Sequence, residues 1–496
     1  MDETRSEKPS NFRFFNNWIS LAGAVIAVGS GFAFLLLIAI DGLTRGANPY
    51  IGILTYLASP AFFLLGVALA LIGWAVYRKQ HAKTGKEVPS IALSLDFSKP
   101  ADRRKFILFT GGTFAFLILT ALGSYRSYHF TESVAFCGEV CHTVMEPEYV
   151  TYGLGAHARV SCAECHIGSG AEWYVKSKLS GLYQVYSVMF DKYSRPIPTP
   201  IHNLRPAQDT CEQCHWPEKF TGNLDRTYAR FLADDENTPY TVRLSLKVGG
   251  GDPRHGPVGG IHWHHGVGNV VEYIATDERN LEIPWVRVTR EDGQVVEYTG
   301  FGFEEEMLQH HEIRTMDCID CHNRPAHVFH SPNDAVDLAL YKNRIDRGLP
   351  GVKRLSVELL TGEYETREEA FAAIADGLRE AYPEDRRLDQ TIAVVKEIYQ
   401  VNFFPLMNVD WSAYPDHIGH KDWPGCFRCH TDDHVSVDGN YVINMSDCTE
   451  CHTILAQGST PGELRILHPD GAEFDHPAGP TGPFLCSECH WGGLLD

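Results

Sequence analysis

All 14 cysteines of this chain fall into seven pairs, and each pair is followed at once by a histidine. Six copies read Cys-x-x-Cys-His: Cys162/Cys165/His166, Cys211/Cys214/His215, Cys318/Cys321/His322, Cys426/Cys429/His430, Cys448/Cys451/His452 and Cys486/Cys489/His490. The seventh, Cys137/Cys141/His142, has one more residue between its thiols. Zinc ribbons and redox dithiols also use closely spaced cysteines, but neither needs a histidine next in sequence. Covalent c-type haem does, because two thiols form thioethers to the porphyrin vinyl groups and the adjoining imidazole becomes the proximal iron ligand. The spacing predicts seven covalently bound haems, with porphyrin standing where a conventional core would otherwise be.

The apolar residues are unevenly spread. Segments 18–40, 51–77 and 106–125 contain no Asp, Glu, Lys, Arg or His, and each reaches the ~20 residues a helix needs to cross a bilayer. The first run is longer than a signal-peptide core, so it reads as an uncleaved anchor. Arg78, Lys79, Lys83, Lys86, Lys99, Arg103, Arg104 and Lys105 lie between the second and third runs, against Arg45 alone between the first two. That asymmetry puts the N-terminus inside the inner membrane and everything after Tyr125 in the periplasm, where c-type haem is attached. None of the three runs holds a histidine, which excludes a b-type haem bound within them. After residue 125 there are 31 basic and 56 acidic residues, a formal charge of −25. A surface of that sign excludes nucleic acid as a partner and favours a basic redox protein.

The expected organisation is a cytoplasmic tail 1–17, spans 18–40 and 51–77, a basic loop 78–105, a third span 106–125, then the haem-bearing part. Within the last, 126–330 carries four motifs around a β-rich insert at 216–317. There Val242, Leu244, Leu246 and Val248 alternate with polar residues, and Asp292-Gly293 marks a hairpin. Residues 331–404 read as a helical insert, with Thr366 and Glu369 as a capping box. Residues 405–496 carry the last three motifs. The fold class is three N-terminal transmembrane α-helices followed by a mainly helical and irregular multihaem cytochrome c ectodomain with a small β-rich insert.

Each low-spin iron needs one further ligand, and 16 histidines outside the motifs follow the third span. Nearness to a motif selects His157, His202, His311, His327, His420 and His434 as axial candidates. The run His262-Trp263-His264-His265 offers at least one more, represented by His264. His310, His330, His417, His468 and His476 stand in reserve. The first motif differs, since Met145 lies three residues beyond His142, and a thioether ligand there would raise the potential.

The apolar run leading into Cys137–Met145, and then Gly155-Ala-His157-Ala-Arg-Val-Ser-Cys162-Ala-Glu-Cys165-His166, resembles the NapC/NirT/NrfH family of membrane-anchored multihaem quinol dehydrogenases. The likeness covers about 106–215, and extends to 330 if the fourth motif completes a family-like four-haem domain over 126–330. It implies that the haem nearest the membrane borders a quinol site, with Met145 as its iron ligand. It also implies that a lysine after the second motif contacts the quinol; Lys176 and Lys178 fall there, Lys178 being the better match. Asp191 is a carboxylate close enough in sequence to handle protons. Members of the family usually have one anchor helix and four or five haems, so the two extra spans imply docking to integral membrane partner subunits. The last three motifs imply an extended electron path from the membrane quinone pool to a periplasmic redox protein. Two other readings are an electron-transfer subunit whose quinol site lies in a partner, and a terminal reductase with an open haem.

Overall fold

The computed structural model describes residues 18–44, 59–84, 97–140, 142–168, 170–199, 205–249, 254, 259–265, 268–445, 448–480 and 484–494. The tail 1–17, the start of the second expected span and part of the basic loop lie outside the described residues. The chain divides into two units: the N-terminal helices with residues 169–180, and residues 131–168 with everything from 181 onward.

In the first unit, helices α1 (Trp18–Thr44), α2 (Ser59–Thr84) and α3 (Pro100–Thr131) occupy the apolar runs. Among the described residues, α1 and α2 are long and apolar enough to cross a bilayer. The third expected crossing falls on α3, several of whose central side chains lie outside the described residues. Helices α1 and α2 pair through small residues. A Cβ on Gly23 would stand 2.6 Å from the Gly66 carbonyl and closer still to Ala70 N, and one on Gly66 would stand 2.5 Å from Ala27 N. Gly23/Ala27 against Gly66/Ala70 is the small-xxx-small arrangement that lets membrane helices touch backbone to backbone. The Ser20 hydroxyl adds a bond to the Ala70 carbonyl at 3.1 Å. Val28, Phe32, Leu35 and Leu64 point outward, a face that lipid tolerates and water does not.

The second unit begins with helix α4 (His142–Leu154) and the single-turn helix α5 (Cys162–His166); helix α6 (Ala171–Met189) runs from the first unit into it. Strands β1 (Leu224–Phe231) and β2 (Pro239–Leu246) form an antiparallel pair that β8 (His452–Gly458) joins. A five-stranded sheet in the order β6-β3-β4-β5-β7 uses β3 (Val270–Ile274), β4 (Trp285–Thr289), β5 (Val295–Thr299), β6 (Arg314–Thr315) and β7 (Val435–Ser436). The hairpin expected at Asp292-Gly293 joins β4 to β5, with Arg290 N donating to Gln294 O at 2.9 Å and Gly293 at φ +81°. Both sheets therefore take a strand from beyond residue 434, so the β-rich region is not closed within 216–317.

Between the sheets in sequence, helices α7 (Pro332–Tyr341), α8 (Val352–Leu360), α9 (Arg367–Ala381) and α10 (Leu388–Asn402) form a bundle. Its core is aliphatic: Val336, Leu340, Leu349, Val357, Leu360, Ile374, Leu378 and Val395 are buried together. Ser331 caps α7 by accepting from Asp334 N, with Pro332 at the first turn. Thr366 Oγ1 accepts from Glu369 N at 3.2 Å, while the Glu369 carboxylate reaches back to Glu365 N, one residue before the expected capping-box donor.

Candidate functional site

Each regular motif begins a single tight turn: helical at Cys162–His166, Cys318–Cys321 and Cys486–Cys489, 3₁₀ at Cys211–Gln213, Gly425–Arg428 and Cys448–Glu450. In four of them the histidine N–H closes back on the first cysteine's carbonyl: His215 on Cys211 at 2.8 Å, His322 on Cys318 at 2.8 Å, His430 on Cys426 at 3.1 Å and His490 on Cys486 at 2.7 Å. A turn of this kind brings residues i, i+3 and i+4 to one side, the arrangement that two thioethers and an axial imidazole need. None of the described cysteines is in a disulfide.

Cys165, Cys214, Cys426, Cys448 and Cys489 are exposed, each beside a half-buried partner in its own motif. The reason is plainest at Cys214. Its turn ends with Cys214 N–H donating to Cys211 O at 3.1 Å, and the chain then leaves through His215 and Trp216, which are exposed as well. One short turn cannot enclose both of its thiols with its own residues.

Opposite every one of these six histidines stands another histidine. The ring centroids are 6.4 Å apart for His166 and His327, 6.1 Å for His215 and His157, and 6.3 Å for His322 and His262. They are 5.9 Å apart for His430 and His264, 6.2 Å for His452 and His420, and 5.9 Å for His490 and His476. A metal–imidazole bond of about 2 Å on each side, plus roughly 1.1 Å from ring nitrogen to ring centre, predicts about 6.2 Å for two imidazoles on one metal. Among the described residues, no group of three or more His, Cys, Asp or Glu side chains could hold a metal ion. Paired axial histidines, with the other metal positions supplied by a macrocycle, fit what is present.

Ring orientation is fixed from behind. His157 Nδ1–H donates to the Pro325 carbonyl at 3.0 Å, His327 to Glu148 O at 2.9 Å and His262 to Val248 O at 2.6 Å. His264 donates to Ile261 O at 2.9 Å and His430 to Asn444 O at 3.1 Å. A proton held on Nδ1 leaves the lone pair on Nε2, the ligating atom. Partial burial holds the pKa of His264, His327, His420, His452 and His490 below the ordinary value. Each is thereby kept in the neutral form that binds metal.

The motifs adjoin one another in chain order. The Cys162 thiol is hydrogen-bonded to Cys137, which holds its pKa down at about 7. Cys165 is pushed up by partial desolvation and then by Cys211. Cys211 is bonded to Cys318. Cys321 is raised by burial and sits beside Cys426, Cys451 is likewise raised beside Cys426, and Cys486 beside Cys448.

The remaining candidates lie elsewhere. His434 is buried, but its Nε2–H donates to the Ile283 carbonyl at 2.7 Å and its Nδ1 faces Asp433 and Thr431. No lone pair is left on Nε2 for a metal. His311 and His310 are exposed, and His417 faces the carbonyls of Asp320 and Arg279. His265 Nε2 lies 3.2 Å from the Glu212 carboxylate. His202, Cys141 and the His142 side chain lie outside the described residues. Met145 is half-buried on α4, one turn beyond His142. Lys176 lies 4.6 Å over Trp173 and Lys178 4.8 Å over Tyr174 on α6, whereas Asp191 is ion-paired to Arg195 at 2.6 Å.

Sequence nearness did not single out His262 from its run, and it left His476 in reserve. Nor does it give the pairing. His157 precedes Cys162 yet faces His215, His327 follows His322 yet faces His166, and His420 precedes Cys426 yet faces His452.

Covalent attachment turns, facing histidines and an apolar N-terminal anchor define a membrane-anchored multihaem c-type cytochrome of electron transfer. Residues 99–199 match the NapC/NirT cytochrome c family, N-terminal region. The chain is 44% identical over 497 residues to cytochrome c-type protein ImcH of Geobacter sulfurreducens, covering 97% of this chain and 96% of that one. It belongs to the NapC/NirT cytochrome c family. No solved structure matches it.

Proposed function

We propose that this chain takes electrons from quinol at the outer face of the membrane and passes them through seven c-type haems to a periplasmic redox protein. The reading is carried by six facing histidine pairs whose motifs adjoin in chain order. The seven cysteine pairs would hold the seven groups. His157, His262, His264, His327, His420 and His476 would supply the second ligand at six of them, and His142 with Met145 would serve the first. When bound, the haems supply one-electron transfer at potentials set by their axial ligands and burial. Lys178, with Lys176 beside it, would donate a hydrogen bond to a quinol oxygen, and Asp191, ion-paired with Arg195, would be the carboxylate that handles protons.

Two measurements test this. Pyridine haemochrome analysis of the purified chain should give seven haems per polypeptide. Adding a menaquinol analogue to the detergent-purified chain should reduce its visible haem bands. Full haem loading without reduction would favour the second reading, in which a partner membrane subunit oxidises the quinol. One observation points that way: helices α1 and α2 lie before residue 99, where the family match begins.

A further inference from the structure

Helix α6 is amphipathic the wrong way round for a water-facing helix. The apolar residues Val175, Leu179, Leu182, Tyr183, Tyr186 and Phe190 recur at three- to four-residue spacing and are all exposed, Leu179 at 66%, Leu182 at 70% and Tyr183 at 66%. Trp173 and Tyr174 of the first turn are half-buried; beyond them the more protected positions are small or polar, with Ser177, Lys178 and Gly181 half-buried and Ser187 buried. Together the outward side chains make an apolar patch on the order of 500 Å², at the upper end of what a soluble face leaves in water.

Three features say what covers it. The first turn of α6 packs on the membrane anchor, the Tyr174 ring stacking on Tyr128 near the end of α3, 5.5 Å apart and at 24°. Cation–aromatic pairs mark both ends: Lys176 over Trp173 and Lys178 over Tyr174 at one, Lys192 over Tyr186 at the other, where Lys192 Nζ also donates to the Tyr186 hydroxyl at 3.1 Å. Tyrosine, tryptophan and lysine at the ends of an apolar face are the composition of a helix lying in the headgroup layer, with rings below and amines reaching up to phosphate.

We infer that α6 lies in the plane of the membrane surface, with Leu179, Leu182, Tyr183 and Tyr186 immersed among phospholipid chains. This depends on membrane anchorage alone and stands whether or not quinol is oxidised here. The test uses the full-length holoprotein in nanodiscs of phosphatidylethanolamine and phosphatidylglycerol containing a diazirine-bearing phospholipid. After irradiation, peptide mapping should find label on Leu179–Phe190 at least about tenfold above the loop at Phe301, an exposed residue of the outer part. The double variant Leu182→Glu/Tyr183→Ser should lose about nine-tenths of the α6 label while keeping its full haem spectrum and the label on α1 and α2. An unlabelled α6 beside labelled α1 and α2 overturns the inference, as does cross-linking of α6 to a second polypeptide.

Discussion

His262 and His264 sit two residues apart in one 3₁₀ turn, Ile261–His265, yet face different motif histidines, His322 and His430. Each is held from behind by its own carbonyl, Val248 O and Ile261 O. One turn thus serves two neighbouring sites, and its two histidines should fail separately. His262→Ala and His264→Ala are each expected to convert one haem of the holoprotein to high spin and the double variant two, read by integrating the high-spin electron paramagnetic resonance signal. A single variant that disturbs both sites would show that the turn, and not the individual ligand, is what matters. His417 is buried in a different role. Its Nδ1 lies 3.0 Å from Asp320 O and its Nε2 3.2 Å from Arg279 O. Burial first, and then the Arg428 guanidinium, push its pKa down from 6.5 to about 4. The unfolded chain takes up the proton near pH 6.5 and the folded chain only near pH 4, so stability is lost as pH falls through that window. The loss amounts to about 2.5 kcal/mol by pH 4.5. In His417→Gln the fall in stability between pH 7 and pH 4.5, measured by denaturant titration, should be smaller by about that amount.

Among elements, the loop between β1 and β2 shows how the bundle is tied to the sheet. Asn237 is fully buried at φ +47°. Its Nδ2 donates to Arg347 O at 2.9 Å and to Leu349 O at 2.8 Å, and its Oδ1 accepts from Lys353 N at 3.0 Å. Asn237→Ala strands all three backbone groups away from water and puts alanine in the left-handed region, so it should cost about 3 kcal/mol. The readout is the denaturation midpoint, followed by loss of α-helical signal. The strand alternation around Val242 and the turn at Asp292-Gly293 were legible in sequence because both are set by neighbouring residues. The third partner of the first sheet was not: Leu244 pairs with Ile454, more than 200 residues on, and no local pattern records that. The same limit applies to the candidate iron ligands. A motif histidine is fixed by the covalent geometry beside it, whereas His264 reaches His430 only through tertiary folding. His434, close to a motif in sequence, is instead packed against Gly300, where a Cβ would meet its ring at 2.8 Å.

For the molecule as a whole, apolar burial is divided between two kinds of core. The bundle formed by α7 to α10 buries its own aliphatic side chains together with Phe231 and Trp411, and no motif cysteine or histidine belongs to that cluster. The regions carrying Cys137–His215 and Cys426–His490 bury Val144, Tyr152, Ala207, Ile454 and Ala456 away from the motif turns, while their described motif cysteines, Cys214 among them, stay half-buried or exposed. Their facing histidines are held apart at the width of a metal site, a spacing with no packing advantage of its own. The porphyrins should therefore supply these regions with the apolar contact that the chain does not. Chain produced without haem attachment should keep the bundle and lose the rest. Limited proteolysis is expected to spare a fragment close to 331–404 and to cut throughout 405–490, while the holoprotein resists at both. The bundle fragment should show cooperative thermal unfolding, because its buried aliphatic cluster provides stability independent of any cofactor. Equal sensitivity of both regions in the haem-free chain would mean that the bundle, too, is folded only by its contacts with the haem-bearing parts.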